Sequence, residues 1–247
     1  MILEAIKTKG LTKKYKDTLA VDRLDLSVKK GELFALLGVN GAGKTTTVKM
    51  LSGLTLPTSG SAFIGGMDIV KEGEKAKGII GVSPQETAVA QNLTVKENLE
   101  LMCGIYGYGR QKTAETVKAL GQRFGLDTVF SKKAGRLSGG WGRRLSIAMA
   151  LTGDPEVLFL DEPTLGLDVI ARSELWDVIK EMKGKVTIVL TTHYMEEAEM
   201  LSDRVGIMKS GRMLNVGTPN GLKALCGAKN LEEAFISIIK GGPKNED

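Results

Sequence analysis

Polar and apolar positions alternate near the start of the chain and then stop alternating. Leu3, Ala5 and Lys7 stand opposite Ile2, Glu4 and Ile6, and later Leu24, Leu26 and Val28 interleave with Asp25 and Ser27. A period of two sends successive side chains to opposite faces, so this stretch predicts half-buried antiparallel strands. Residues 33–37 and 157–160 are apolar at every position, and 186–190 is nearly so. Such runs read as strands of a parallel sheet covered on both faces. Shorter strands are expected at 61–64, after a turn at 56–60, and at 79–83. The segments 205–208 and 213–216 suggest a hairpin around Ser210-Gly211.

Between about 86 and 151 the period changes to that of a helix. Thr94-Val95-Lys96-Glu97 has the form of a capping box, and Val95, Leu99, Met102, Cys103 and Tyr106 follow on one face. Val117, Leu120 and Phe124 mark a second helix, and Gly104, Gly107, Gly109, Gly121 and Gly125 punctuate the segment. Beyond it, 171–183 and 196–201 are expected to be helical, and Leu231, Phe235, Ile238 and Ile239 lie on a last amphipathic helix. The pattern predicts an α/β fold with a mostly parallel central sheet, an N-terminal antiparallel β subdomain and an inserted α-helical subdomain. Its divisions are a sheet core at 1–85 and 152–220, helices at 86–151, and a C-terminal helix and tail at 221–247.

Composition adds limits. The 247 residues suffice for one α/β domain with a subdomain. No apolar run approaches the roughly 18 residues that a membrane span needs. The start, Met1-Ile2-Leu3-Glu4, lacks the apolar stretch of a signal peptide. Cys103 and Cys226 are far apart, without partners at metal-ligand spacing, so a disulfide framework is not expected and a reducing cytosol suits the chain. The net charge of +5 gathers in Lys13-Lys14, Lys29-Lys30, Lys132-Lys133 and Arg143-Arg144. It reads as a solvated surface or as attraction to anionic lipid or nucleic acid; no aromatic interleaving supports a nucleic-acid partner.

The chemistry centres on Gly38-Val39-Asn40-Gly41-Ala42-Gly43-Lys44-Thr45-Thr46, between the apolar run 33–37 and a helical segment. This is the phosphate-binding pattern G-x-x-x-x-G-K-[ST] in its required strand–turn–helix setting. Glycines let backbone N–H groups wrap a phosphate, and the helix N-terminus adds partial positive charge. Lys44 would reach the β- and γ-phosphates, the Thr45 hydroxyl would ligate Mg²⁺, and Thr46 would donate near the α-phosphate. Asp161-Glu162 follows the strand at 157–160, where strand ends face a ligand crevice. Asp161 would hold the Mg²⁺ shell, and Glu162 would orient or deprotonate an attacking water. Leu137-Ser138-Gly139-Gly140 opens another helix and offers a second anion site inside the helical insert. Tyr15, an aromatic among charges, is either a surface residue packed on the first strand or a platform for a purine.

In this combination the chain resembles the ATP-binding-cassette (ABC) ATPases along essentially its whole length. The resemblance implies that Tyr15 stacks on adenine and that residues 38–46 are the phosphate loop. Gln85 becomes the glutamine that touches Mg²⁺ and faces a membrane partner. Leu137 to Gly140 become the family signature, Leu167-Asp168 the D-loop, and His193, the one histidine present, the switch residue at the γ-phosphate. It further implies that two cassettes, a homodimer or a similar pair, sandwich ATP head to tail, with Ser138, Gly139 and Gly140 binding the γ-phosphate in trans. An integral-membrane permease would be a separate chain, docked at Gln85 and residues 86–110 with Leu101, Tyr106 and Tyr108 as candidate contacts. The protein would then lie on the cytoplasmic face of a membrane, hydrolysing ATP. Residues 93–99, 143–148, 192–198 and 231–235 resemble the drug-resistance and lipid or polysaccharide exporter branch. The alternative is a soluble cassette acting on nucleic acid or as an assembly factor, against which stand the single cassette and the lack of heptads. Trp141 departs from the family, which usually has a glutamine or another non-aromatic residue after the signature glycines. It is either tolerated variation or a contact that alters dimer closure. The transported substrate is not encoded in these motifs.

Overall fold

The apolar run at 33–37 becomes the middle of the molecule because it has no polar side to show to water. In the computed structural model, which describes residues 4–243, Leu33–Gly38 (β3) is buried at every position. It lies in a six-stranded sheet with Ile80–Ser83 (β6), Val157–Asp161 (β7), Thr187–Thr192 (β8), Arg204–Lys209 (β9) and Arg212–Gly217 (β10), in the order β10-β9-β3-β8-β7-β6. All pairs are parallel except the β9–β10 hairpin. The central strands are apolar on both sides because both faces are covered. Phe34, Leu36, Val157, Phe159 and Val189 point to one layer; Leu33, Leu158, Leu160, Ile188 and Leu190 point to the other.

The first layer holds the phosphate-loop helix Lys44–Leu51 (α1) and a second, antiparallel sheet. That sheet joins Glu4–Tyr15 (β1), Thr18–Lys29 (β2), Ser59–Ile64 (β4) and Met67–Asp68 (β5) in the order β2-β1-β4-β5. The alternation expected at the N-terminus thus forms a β1–β2 hairpin, although Ile2 and Leu3 lie outside the described residues. Register shifts let Ala5 and Ile6 both be buried. The turn expected at 56–60 ends earlier, because Ser59 already pairs with Thr12.

The other face carries the helices. After Gly73–Lys77 (α2) come Val95–Ile105 (α3), Arg110–Arg123 (α4) and Gly139–Ala150 (α5), with two single 3₁₀ turns before α5. The capping box is present in full: Thr94 Oγ1 accepts from the Glu97 N–H, and the Glu97 carboxylate accepts from the Thr94 N–H at 2.7 Å. The apolar faces of α3, α4 and α5 share one core with Val169–Met182 (α6) and the sheet. Met195–Leu201 (α7) then covers β3 and β9 together with Pro219–Cys226 (α8) and Leu231–Ile239 (α9). Two helices were not expected from the sequence: α2, and α8, whose Thr218 N-cap and Pro219 at the first turn are start signals. Residues 244–247 of the expected tail lie outside the described residues.

Candidate active site

The parallel strands β3, β7 and β8 all end at one edge of the sheet, and the loops that follow them line a cleft of about 1340 Å³. After β3 the chain turns through Gly38 to Gly43 into α1. Two glycines here are sterically required. A Cβ on Gly38 would lie 2.6 Å from the Met208 carbonyl, and one on Gly43, at φ +104°, would lie 2.5 Å from the Ala20 carbonyl. Lys44 is buried, and its Nζ donates to the Gly38 carbonyl at 2.7 Å. Burial pushes this ammonium below its ordinary value, against the pull of the Glu162 and Asp161 carboxylates.

After β7 stand the two carboxylates. Asp161 is buried, accepts the Thr191 hydroxyl, and has Oδ1 3.4 Å from Thr45 Oγ1. Thr45 and Asp161 thus bring two hard oxygen donors together, 116 positions apart in sequence, as a Mg²⁺ site requires. Glu162 adopts a left-handed conformation, φ +47°, unusual for a residue with a side chain. Its N–H donates to the Thr191 carbonyl at 3.0 Å, which anchors the turn to β8. After β8, His193 places Nδ1 3.4 Å from Glu162 Oε2. The imidazole packs on Tyr194 with ring centroids 4.2 Å apart, and the Arg172 guanidinium lies 4.5 Å from the centroid of the Tyr194 ring.

The cleft is lined by residues 38–46, Gln85, Glu162 and His193, all singled out in the sequence. Two predicted groups stand elsewhere. Tyr15 is exposed beneath Lys13 Nζ and does not line the cleft; the wall beside it is Thr18, Leu19 and Ala20. Ser138, Gly139 and Gly140 open α5 against Leu167 and Ala171, outside the lining of the cleft. One chain therefore does not assemble both anion sites around one cavity. Trp141 packs into its own helical layer, near Gly125, with the Arg144 guanidinium 5.3 Å from its ring. Tyr108 is likewise an internal anchor, donating its hydroxyl to the Thr152 carbonyl at 3.1 Å, whereas Leu101, Ile105 and Tyr106 are exposed.

Sequence reasoning assigned no site role to Glu197 or Phe235. Glu197 is fully buried beneath the loops after β7 and β8, where Trp176 Nε1 donates to its carboxyl at 3.1 Å. Burial pushes that carboxyl upward, opposed by the neighbouring Thr192, Thr164 and Trp176 side chains and by the Arg172 charge. Phe235, on α9, closes one side of the cleft. No helix among the described residues is long and apolar enough to cross a membrane.

A family model described as "ABC transporter" matches residues 21–165. The probable multidrug ABC transporter ATP-binding protein YbhF of Escherichia coli (strain K12) is 42% identical over 240 residues, covering 95% of this chain and 41% of its own length. The chain thus spans about two fifths of that relative. The daunorubicin/doxorubicin resistance ATP-binding protein DrrA of Streptomyces peucetius is 40% identical over 228 residues, 92% of this chain and 69% of DrrA. Among solved structures, the ATP-binding cassette MJ0796, a dimer in a post-hydrolysis state bound to ADP and Pi, superposes with a TM-score of 0.78 at 26% identity, over 86% of this chain and 98% of that one.

Proposed function

The chain belongs to the ABC transporter family, whose model spans residues 21–165, and on that premise we propose that it binds MgATP between two cassettes and hydrolyses it to drive transport through a membrane permease. The observation that carries this reading is the convergence of Lys44, Thr45, Asp161, Glu162 and His193 on one edge of the sheet. The N–H groups of residues 39–46 would cradle the phosphates, and Lys44 would exchange the Gly38 carbonyl for a phosphate oxygen. Thr45, Asp161 and Gln85 would hold Mg²⁺, which when bound neutralises charge on the phosphate oxygens. Glu162 orients and accepts a proton from the attacking water, and His193 steadies the Glu162 carboxylate and contacts the γ-phosphate. Tyr15 reaches the adenine from the rim.

The separation of the Ser138–Gly140 helix start from the cleft supports a second copy as the source of that group. The dimeric state of MJ0796 supports the same arrangement. In this reading ATP favours the closed pair and loss of phosphate releases it. The exposed Leu101, Ile105 and Tyr106 of α3, together with Gln85, form the surface offered to a permease, and the protein works on the cytoplasmic side. Names such as multidrug and daunorubicin resistance among the relatives support export. The test is Mg²⁺-dependent ATP hydrolysis by the purified protein, with co-purification of a membrane protein. A chain that neither binds nor hydrolyses ATP would overturn the reading.

A further inference from the structure

Arg143 sits one turn into α5 and is 5% exposed. Its Nη1 donates to the Pro84 carbonyl at 2.6 Å and its Nη2 to the Gln85 carbonyl at 2.5 Å. Among the described residues the guanidinium meets carbonyl oxygens only, with no carboxylate at ion-pairing distance. Burial depresses its pKa, and the fields of Asp161, Glu162 and Glu197 oppose that. A buried charge without a counter-ion is costly, and an apolar side chain of similar volume would serve packing alone at less expense. The planar fork does what an apolar residue cannot: it holds two successive carbonyls in a fixed orientation.

The rest of the segment is held in the same way. One turn further along α5, the Ser146 hydroxyl is 2.9 Å from that of Ser83, at the end of β6. At the far end, Asn98 of α3 accepts from the Ala90 N–H at 2.8 Å and donates to the Thr94 carbonyl at 2.9 Å. Residues 84–90 are therefore bound to helices at both ends, while Gln85 itself faces the cleft.

We propose that Arg143 is a positioning residue: held by α5, it fixes the backbone of Pro84 and Gln85 and so sets where the Gln85 amide stands relative to Thr45 and Asp161. This rests on the reading of Gln85 as a Mg²⁺ ligand. The start of α5 at Ser138 and the Gln85 loop then move as one body, so a change at the first is delivered to the second through two hydrogen bonds.

The experiment compares wild type with Arg143→Met, which removes both donors, and Arg143→Lys, which keeps the charge but not the fork. Hydrogen exchange is followed over residues 85–90 and 33–38, and binding of a fluorescent ATP analogue is titrated with Mg²⁺ and repeated in EDTA. In Arg143→Met, exchange over 85–90 should quicken by about tenfold while 33–38 stays protected. The Mg²⁺ concentration for half-maximal nucleotide binding should rise by about tenfold, with affinity in EDTA unchanged. Arg143→Lys should fall between. If Arg143→Met also loosens 33–38, Arg143→Lys decides on the same two readouts. Wild-type exchange at 85–90, or an unchanged Mg²⁺ requirement, overturns the proposal. If wild type itself binds nucleotide without regard to Mg²⁺, the functional reading fails instead, and the exchange comparison still decides whether Arg143 holds the loop.

Discussion

Glu162 Oε2 and His193 Nδ1 lie 3.4 Å apart at the ends of the adjacent strands β7 and β8. The pair exists because the two strands are in register, with Asp161 opposite Thr191, and because Glu162 turns into a left-handed conformation that re-aims its side chain. Such backbone costs about 1–3 kcal/mol and persists where surrounding structure enforces it. Replacing the carboxylate but not the shape should therefore stop chemistry and spare binding. Glu162→Gln should lower the ATPase rate by about 10²–10⁴-fold and accumulate an ATP-bound dimer on size exclusion. Hydrolysis at the wild-type rate would remove Glu162 as the base.

At Gly43 the constraint is steric. With φ +104° and the Ala20 carbonyl 2.5 Å from where a Cβ would sit, Gly43→Ala must displace β2 or the start of α1. A loss of about 1–3 kcal/mol of stability is expected, together with loss of nucleotide binding by calorimetry. A variant that binds ATP normally would show that the loop tolerates a side chain there.

Glu197 gives a pH dependence. Its carboxyl is pushed above the ordinary value of 4.5 by burial, so the folded chain holds that proton at a pH where the unfolded chain has released it. Stability from this group is complete below the unfolded value and declines as pH rises through the folded one. Glu197→Gln keeps an acceptor for Trp176 Nε1 but cannot ionise. Its melting temperature relative to wild type should rise progressively from acid to neutral pH; a constant offset would refute the assignment.

Thr94 tests the helical layer alone. Its hydroxyl accepts the Glu97 N–H that begins α3, and Thr94→Ala should cost about 1 kcal/mol. For a chain of this size that corresponds to a melting temperature lower by about 2–4 °C. ATP affinity should not change, because the residue does not line the cleft.

Trp141 faces its own helices and the Arg144 guanidinium. Trp141→Gln should therefore lower thermal stability and leave ATP-driven dimerisation of Glu162→Gln unchanged. Weaker dimerisation in sedimentation velocity, with stability intact, would instead assign Trp141 to the contact between subunits.

Much of this was legible in the chain itself, for local reasons. Apolar runs without alternation identified β3, β7 and β8, and the helical spacing after Thr94 identified α3, because strand and helix periods are written in consecutive residues. The phosphate loop was equally plain, since its glycines and Lys44 act within one turn. Helix α8 was missed although Thr218, Pro219 and Gly227 frame it, because its eight residues carry too short an apolar pattern. What the tertiary structure alone decided is spatial adjacency across the sheet. It brought Thr45 to Asp161 and Glu162 to His193, turned Trp141 inward, left Tyr15 off the lining of the cleft, and buried Arg143 against the Gln85 loop. Those relationships depend on strand order and on which helix covers which face, and both are settled by packing between distant segments, on which neighbouring residues carry no signal.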